Sequence, residues 1–266
     1  IYTGEYHFRR GQPVLARASL ERAVRRALQL DRGLAARASL DETASLGGEA
    51  LGLHAIQLLA RTYLELDRPL LAARIAEEMQ ARSLRQDVRA LKESDLLSWA
   101  GDNELGLVTW VLGPDEGVAI WIGREGQSGS MLIPFGRRPL QRAVGRLSQA
   151  LREGSSGDAE SFGAELARSL LPEELLQRLS TCHGESLLLL THGPLELLPV
   201  GALRVPNPDT PTGVLLAEAA TLRVLPGLPA AHPGEAKSEP SEWILVGAPT
   251  NSIRRTRLPE ALKELQ

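Results

Sequence analysis

Ser186-Leu187-Leu188-Leu189-Leu190-Thr191, running on into His192-Gly193-Pro194-Leu195-Glu196-Leu197-Leu198-Pro199-Val200-Gly201-Ala202-Leu203, is the stretch that decides the fold class. The first six residues form a short, nearly continuous apolar run. Strands of that kind are buried on both faces, as in a parallel sheet flanked by helices. A second run of the same type is Trp243 to Gly247 (WILVG). Between the two lie Leu195 to Arg204, a Pro-rich loop from Val205 to Gly213, and Val214 to Leu225. The segment from Gly227 to Ser241, rich in Pro, Ala and charge, reads as an excursion from the fold. A last helix begins near Pro259 and its pattern still runs at Gln266, so the reading expects the domain to continue.

Working back towards the amino end, Leu105 to Leu112 (LGLVTWVL) and Gly117 to Ile122 (GVAIWI) are strand-like. Gly113-Pro114-Asp115-Glu116-Gly117 between them predicts a β-hairpin. Ser130 to Phe135 (SMLIPF) predicts a third strand, with Pro134 placing it at an edge or a strand end. Trp99, Trp110 and Trp121 resemble a binding box, but aromatic residues in half-buried strands are ordinarily core. A helix follows from Pro139 through Leu140, Val144, Leu147 and Leu151, and Gly154-Ser155-Ser156-Gly157 breaks it. Another carries Phe162, Leu166 and Leu170, and Pro172 opens a further turn to Leu179. Glu173-Glu174 beside that proline suit the positive end of a helix dipole, with paired catalytic carboxylates as the functional alternative.

Residues 1–92 read as helices. Leu15, Leu20, Val24 and Leu28 make one apolar stripe, and Leu51, Ile56, Leu59, Tyr63 and Leu66 lie in a second helical stretch from Ala50. Pro69 opens a third helix with Leu71, Ile75 and Met79. Ala60, Tyr63, Ala72 and Ala76 sit at the small-and-large spacings of a helical hairpin, with Asp67 near the turn. Gly4, Gly11, Ala16, Leu20 and Ala23 echo them near the start. These helices resemble tetratricopeptide repeats, in which alanines permit close helix approach and an aromatic fills the gap. A plain helical bundle is the alternative.

Composition narrows the function classes. The chain has 266 residues, 43% of them apolar and 24% charged, which is long enough for two ordinary domains. No apolar run is long enough for a membrane span. A net charge of -3 argues against a dedicated nucleic-acid binder. Arg9-Arg10, Arg25-Arg26, Arg137-Arg138 and Arg254-Arg255 read as solvated faces. Arginine outnumbering lysine, with abundant Ala, Leu and Gly, fits a GC-rich bacterial genome. Cys182 is the only cysteine, so this sequence contains no intrachain disulfide and no cysteine zinc cluster, and a reducing cytoplasm is the expected location. The chain opens on Ile1 rather than Met, so the reading expects polypeptide before it.

Three features invite a chemical reading. Cys182 and His183 pair a thiol with the base that activates one, yet adjacent residues point apart, and a turn into the strand at Ser186 is the plainer account. Thr191-His192-Gly193 lies at the carboxyl end of a buried strand, where open α/β sheets place their sites, but His192 has no visible partner. Gly47-Gly48-Glu49-Ala50-Leu51-Gly52 lacks the strand and the Lys-Ser/Thr of a phosphate loop and reads as a helix-start loop. No metal-ligand spacing occurs, and His7, His54 and His232 are isolated.

Taken in order, Leu170-Leu171-Pro172, the strand at Ser186, Gly193 to Leu203, Leu215-Leu216-Ala217-Glu218, Leu225-Pro226 and Leu245-Val246-Gly247-Ala248-Pro249 resemble the front half of a CHAT domain. This is the caspase-like domain that commonly follows tetratricopeptide repeats in bacteria. The resemblance covers roughly residues 95–266 and is most specific over 186–249. The family order is a strand, Asp-Gly-x-Leu-x-x-Leu-Pro-Phe-x-Ala-Leu, a hairpin, then a strand ending in Gly-Asn-Pro. His192 stands where the family has Asp, Val200 where it has Phe, and Ala248 where it has Asn. The family's dyad, a His in Ala-Thr-His-Gly and a Cys in Ser-Ala-Cys, belongs to later strands. Neither Cys182 nor His192 inherits it, and both read as decoys.

The expectation is therefore an α + α/β chain. Residues 1–92 would be tetratricopeptide-like hairpins, and 93–266 the front part of a caspase-like domain with a mostly parallel sheet. The resemblance implies a cysteine endopeptidase acting on a protein or peptide substrate in the complete protein, with the helices binding a protein partner. It implies no cofactor, metal, nucleic acid or membrane. Residues 1–266 alone would lack the dyad and be inactive. The rival is a non-enzymatic scaffold whose α/β part is a degenerate regulatory domain.

Overall fold

The computed structural model describes residues 1–35, 42–83, 91–181 and 184–228. Helices come first: α1 (Tyr2–Arg9), α2 (Pro13–Ala35), α3 (Glu42–Glu65), α4 (Pro69–Ser83) and α5 (Glu93–Gly101). A meander follows, β1 (Leu107–Leu112), β2 (Gly117–Ile122) and β3 (Ser128–Ile133). Helices α6 (Arg137–Glu153), α7 (Ser156–Leu170) and α8 (Glu173–Leu179) lead into β4 (Glu185–Leu190). Two short 3₁₀ turns, Gly193–Leu197 and Val200–Ala202, precede the hairpin of β5 (Arg204–Asn207) and β6 (Thr210–Leu215). The single turn α9 (Leu216–Ala219) and β7 (Ala220–Leu225) complete the described chain. An all-helical stretch thus runs into a mixed helix–sheet region.

The main sheet has the order β3-β2-β1-β4-β7. β1 pairs antiparallel with β2, and β2 with β3, because the connections at 113–116 and 123–127 are too short for a crossover. β4 lies parallel between β1 and β7, with Leu107 opposite Leu188 and Leu187 opposite Leu222. Among the described strands the sheet is therefore mixed rather than mostly parallel, because the β1–β2–β3 meander makes half of its pairings antiparallel. Every residue of β1 and β2 is buried. Alternation explains how: Val108, Trp110, Leu112 and Leu189 face α6, α7 and α8, while Leu107, Val111, Ile120 and Leu188 face the N-terminal helices. Helices cover both faces, which is why the strands carry apolar residues at consecutive positions.

On the first face, Leu140 and Leu147 of α6, Leu170 of α7 and Leu175 of α8 are fully buried. Each contributes roughly 1.5–3 kcal/mol relative to exposure. The indole N–H of Trp110 donates to the Leu170 carbonyl at 2.8 Å, and that of Trp121 to the Leu105 carbonyl at 2.7 Å. These tryptophans are core pillars whose one polar atom is satisfied. On the second face, Ala55, Ile56 and Leu59 of α3, Ala72 and Ala76 of α4, and Leu96 and Trp99 of α5 share one core with the sheet. The boundary read at 92/93 falls between α4 and α5, and apolar side chains from both sides of it meet in that core. Gly4 lets α1 close on α2, since a Cβ there would lie 2.6 Å from Leu20 Cγ. Asp67 makes the α3–α4 turn at φ 56°, a left-handed conformation that Asp tolerates.

Several expectations need correction. Leu15 is exposed, and the buried stripe of α2 is Ala16, Leu20 and Val24. Likewise Ala150 is buried in α6 and Leu151 exposed. In both helices the alanine is the position in phase with the other buried residues, at spacings of three and four, and the leucine beside it is turned out by about 100°. Gly47, Gly48 and Gly52 lie inside α3 rather than in a loop before it. A helix interior tolerates glycine at about 1 kcal/mol each when its other residues compensate. The Pro-rich loop at 205–213 is largely the β5–β6 hairpin: Pro206 is exposed and its missing N–H disturbs the ladder at a register shift. Val214 to Leu225 spans the end of β6, α9 and β7. Cys182, His183, Trp243 to Gly247 and the helix read from Pro259 lie outside the described residues.

Candidate functional site

The two ends of the parallel strands differ. At the amino end Glu104 closes the sheet: its carboxylate accepts from the Ser186 backbone N–H at 2.8 Å and from the Ser186 hydroxyl. Those bonds hold the Glu104 carboxyl down at about 2. At the carboxyl end, β4 delivers Thr191 and His192 into the interior, both only 3% exposed. The Thr191 N–H donates to the Leu225 carbonyl at 2.8 Å, extending the β4–β7 ladder and fixing where the next residue emerges.

Burial pushes the His192 imidazole down to about 4; the Arg137 charge acts in the same sense, and the carbonyls of Leu190 and Trp110 oppose it. The ring is therefore neutral near pH 7, and its Nδ1 has no hydrogen-bond partner. Arg137, read from sequence as part of a solvated pair, instead turns its Nε to the Leu112 carbonyl at 3.3 Å. It stands in the first turn of α6, and its own N–H donates to the Gly113 carbonyl at 3.1 Å. Among the described residues no cysteine, serine or carboxylate is hydrogen-bonded to His192. A neutral imidazole beside a guanidinium can accept or donate one hydrogen bond, but it lacks the orienting acid of a catalytic base.

The β1–β2 turn joins this end to the helices. A Cβ on Gly113 would collide with Gln57 of α3, and one on Gly136 with the Pro114 carbonyl. Gln57 is buried, with Nε2 unpartnered. Arg61, one turn further along α3, ion-pairs with Glu116 of the turn and lies 4.8 Å over the ring of Phe8 in α1. A contiguous path of contacts thus runs from α1 through Arg61, Glu116 and the turn to Arg137 and His192.

Glu77 is a second polar centre, and the sequence reading did not single it out. It projects from α4 onto β1, fully buried, with Oε1 accepting the Thr109 hydroxyl at 2.6 Å and Oε2 accepting the Leu228 N–H at 3.3 Å. Burial pushes its carboxyl up to about 7, against the pull of those two bonds. The available signal was Thr109, the one polar residue in a strand buried on both faces. Such a hydroxyl requires a partner from the covering layer.

The other sequence candidates do not assemble. Glu173 and Glu174 sit in the first turn of α8, where Glu173 receives Gln177 at 3.3 Å and Glu174 packs over Gly129. Among the described residues no cluster of His, Cys, Asp and Glu can hold a metal, and no helix is long and apolar enough to cross a membrane. An open groove between α6 and α7, lined by Phe135, Ala143, Phe162 and Leu166, includes neither His192 nor Glu77. Comparison with protein-family models and with curated proteins returns no match.

Proposed function

We propose that the chain is the front part of a bacterial tetratricopeptide–CHAT protein. In the complete polypeptide the α/β part would be a caspase-like cysteine endopeptidase, and the helices would bind a protein partner. The dyad would lie on strands later in the family order, where the His orients or deprotonates the Cys and backbone N–H groups stabilise the oxyanion. The observation that carries the reading is the order of elements after β4. Gly193 to Leu203 folds as two 3₁₀ turns with Leu195, Leu198 and Leu203 buried, the β5–β6 hairpin follows, and β7 returns parallel to β4. A hairpin at that point is what the family order calls for.

The rival reading is a non-enzymatic scaffold in which the helices bind partners and the α/β part is a degenerate regulatory domain. Reading the gene beyond the Gln266 codon separates the two. The proposal expects a strand ending in His-Gly and then one ending in Cys, and the absence of both would favour the scaffold. A peptidase assay on residues 1–266 supplies a second arm: no activity is expected, and activity lost on Cys182→Ala would overturn the assignment.

A further inference from the structure

We propose that the outer face of α1 and α2 docks an acidic amphipathic helix of a separate protein partner. This deepens the partner-binding half of the function proposed above and rests on that half alone. Residues 1–26 carry six arginines and two glutamates on a chain whose net charge is -3. Both glutamates turn towards α3. Glu5 pairs with Arg9 at 2.6 Å and reaches His54 at 3.5 Å, and Glu21 accepts the Tyr63 hydroxyl at 2.8 Å with Arg17 at 3.5 Å. Those contacts neutralise Arg9 and Arg17. Arg10, Arg22, Arg25 and Arg26 are exposed, with no carboxylate within ion-pair distance among the described residues.

Both helices also expose apolar side chains: Tyr2, Tyr6, Val14 and Leu15 are 83%, 54%, 60% and 52% exposed. The periodicity turns them away from the core on each helix. Ala16, Leu20 and Val24 turn inward, so Leu15, Arg22, Arg25 and Arg26 turn outward along α2. On α1, Gly4 is buried, leaving Tyr2 and Tyr6 outward one turn apart. Exposed apolar positions interspersed with arginines that have no carboxylate partner among the described residues match a helix that presents Leu-type residues on one side and acids beside them. Nucleic acid fits less well. Arg10 already lies 5.1 Å over the Tyr6 ring and His7 meets its edge, which leaves only Tyr2 to stack on a base.

The probe is a fluorescein-labelled peptide of Glu and Leu arranged as an amphipathic helix, titrated by anisotropy against residues 1–266 and against the longer polypeptide. The proposal expects saturable, salt-sensitive binding to both. Arg22→Glu with Arg25→Glu should weaken it by at least about tenfold, and Leu15→Ser severalfold. Circular dichroism checks that each variant keeps its fold, and Arg25→Ala with Tyr2→Ser replaces any that does not. Binding insensitive to all these changes, or no binding, overturns the proposal. So does tighter binding of a single-stranded RNA, and so does loss of binding in the longer polypeptide, which would assign the face to a helix of the same chain. The assay involves no catalysis. Its failure leaves the peptidase reading standing, and absence of a dyad leaves the docking face untouched.

Discussion

The two faces of the central sheet are built differently. Towards α6, α7 and α8 the core between the strands and helices is aliphatic and aromatic, its two indole N–H groups each reach a carbonyl, and Thr191 and His192 are buried at the carboxyl end of β4 beside it. Towards α3, α4 and α5 the buried layer includes Gln57, Thr62, Glu77, Asn103 and Thr109. There Gln57 Nε2 and Asn103 Oδ1 lack partners, as does His54 Nδ1 of α3. The first face has the character of a permanent core. The second is an interface with buried polar atoms, where changes in protonation or packing carry a measurable energy. It joins the proposed partner-binding helices to the sheet, so such sensitivity is placed where coupling would need it.

The largest effect should come from the apolar face. Trp110→Ala should cost about 3–5 kcal/mol in urea unfolding, since it opens a cavity and strands the Leu170 carbonyl. A loss smaller than that of Gln57→Ala would break the comparison.

Next comes Glu77, which tests the polar face by pH. Its folded value of about 7 lies above the ordinary glutamate value of 4.5. Its contribution to stability is therefore complete below 4.5 and is lost as pH rises through about 7. Glu77→Gln should remove that slope and raise stability relative to the native protein on the alkaline side, its one acceptor oxygen keeping only one of the two bonds. Parallel stability–pH curves for the two proteins would contradict the burial argument.

The smallest effect concerns the turn. Gly113→Ala should cost about 1–3 kcal/mol by driving a methyl against Gln57. Adding Gln57→Ala should recover part of that loss, giving a favourable coupling in a double-mutant cycle. Additive losses would mean the turn and α3 are not in register as described.

The sequence made the β1–β2 hairpin readable because a Gly-Pro-Asp-Glu-Gly turn separates two β-rich runs, and it made β4 readable because four leucines in succession fit a strand covered on both sides. It hid Glu77, since a glutamate in an amphipathic helix looks the same whether it faces water or a strand, and only packing decides. The alanines at 16 and 150 are less apolar than the leucines beside them, so a hydropathy reading passes over them, although they keep the helical phase of the other buried residues. Prolines disguised the β5–β6 hairpin as a loop. For the candidate site, the position of His192 at a strand's carboxyl end was legible. Its environment was not, because Arg137 and the Trp110 carbonyl come from elements distant in sequence. Arg137 looked like half of a solvated pair until α6 placed it against the β1–β2 turn.

The central claim is that this chain contributes the frame of a cysteine peptidase and not its nucleophile. Labelling the longer polypeptide with a cysteine-directed peptidyl acyloxymethyl ketone, then locating the adduct by peptide mass spectrometry, tests it directly. The account predicts modification of a cysteine on the carboxyl side of Gln266, with labelling unchanged in Cys182→Ser. An activity-dependent adduct on Cys182 would contradict it.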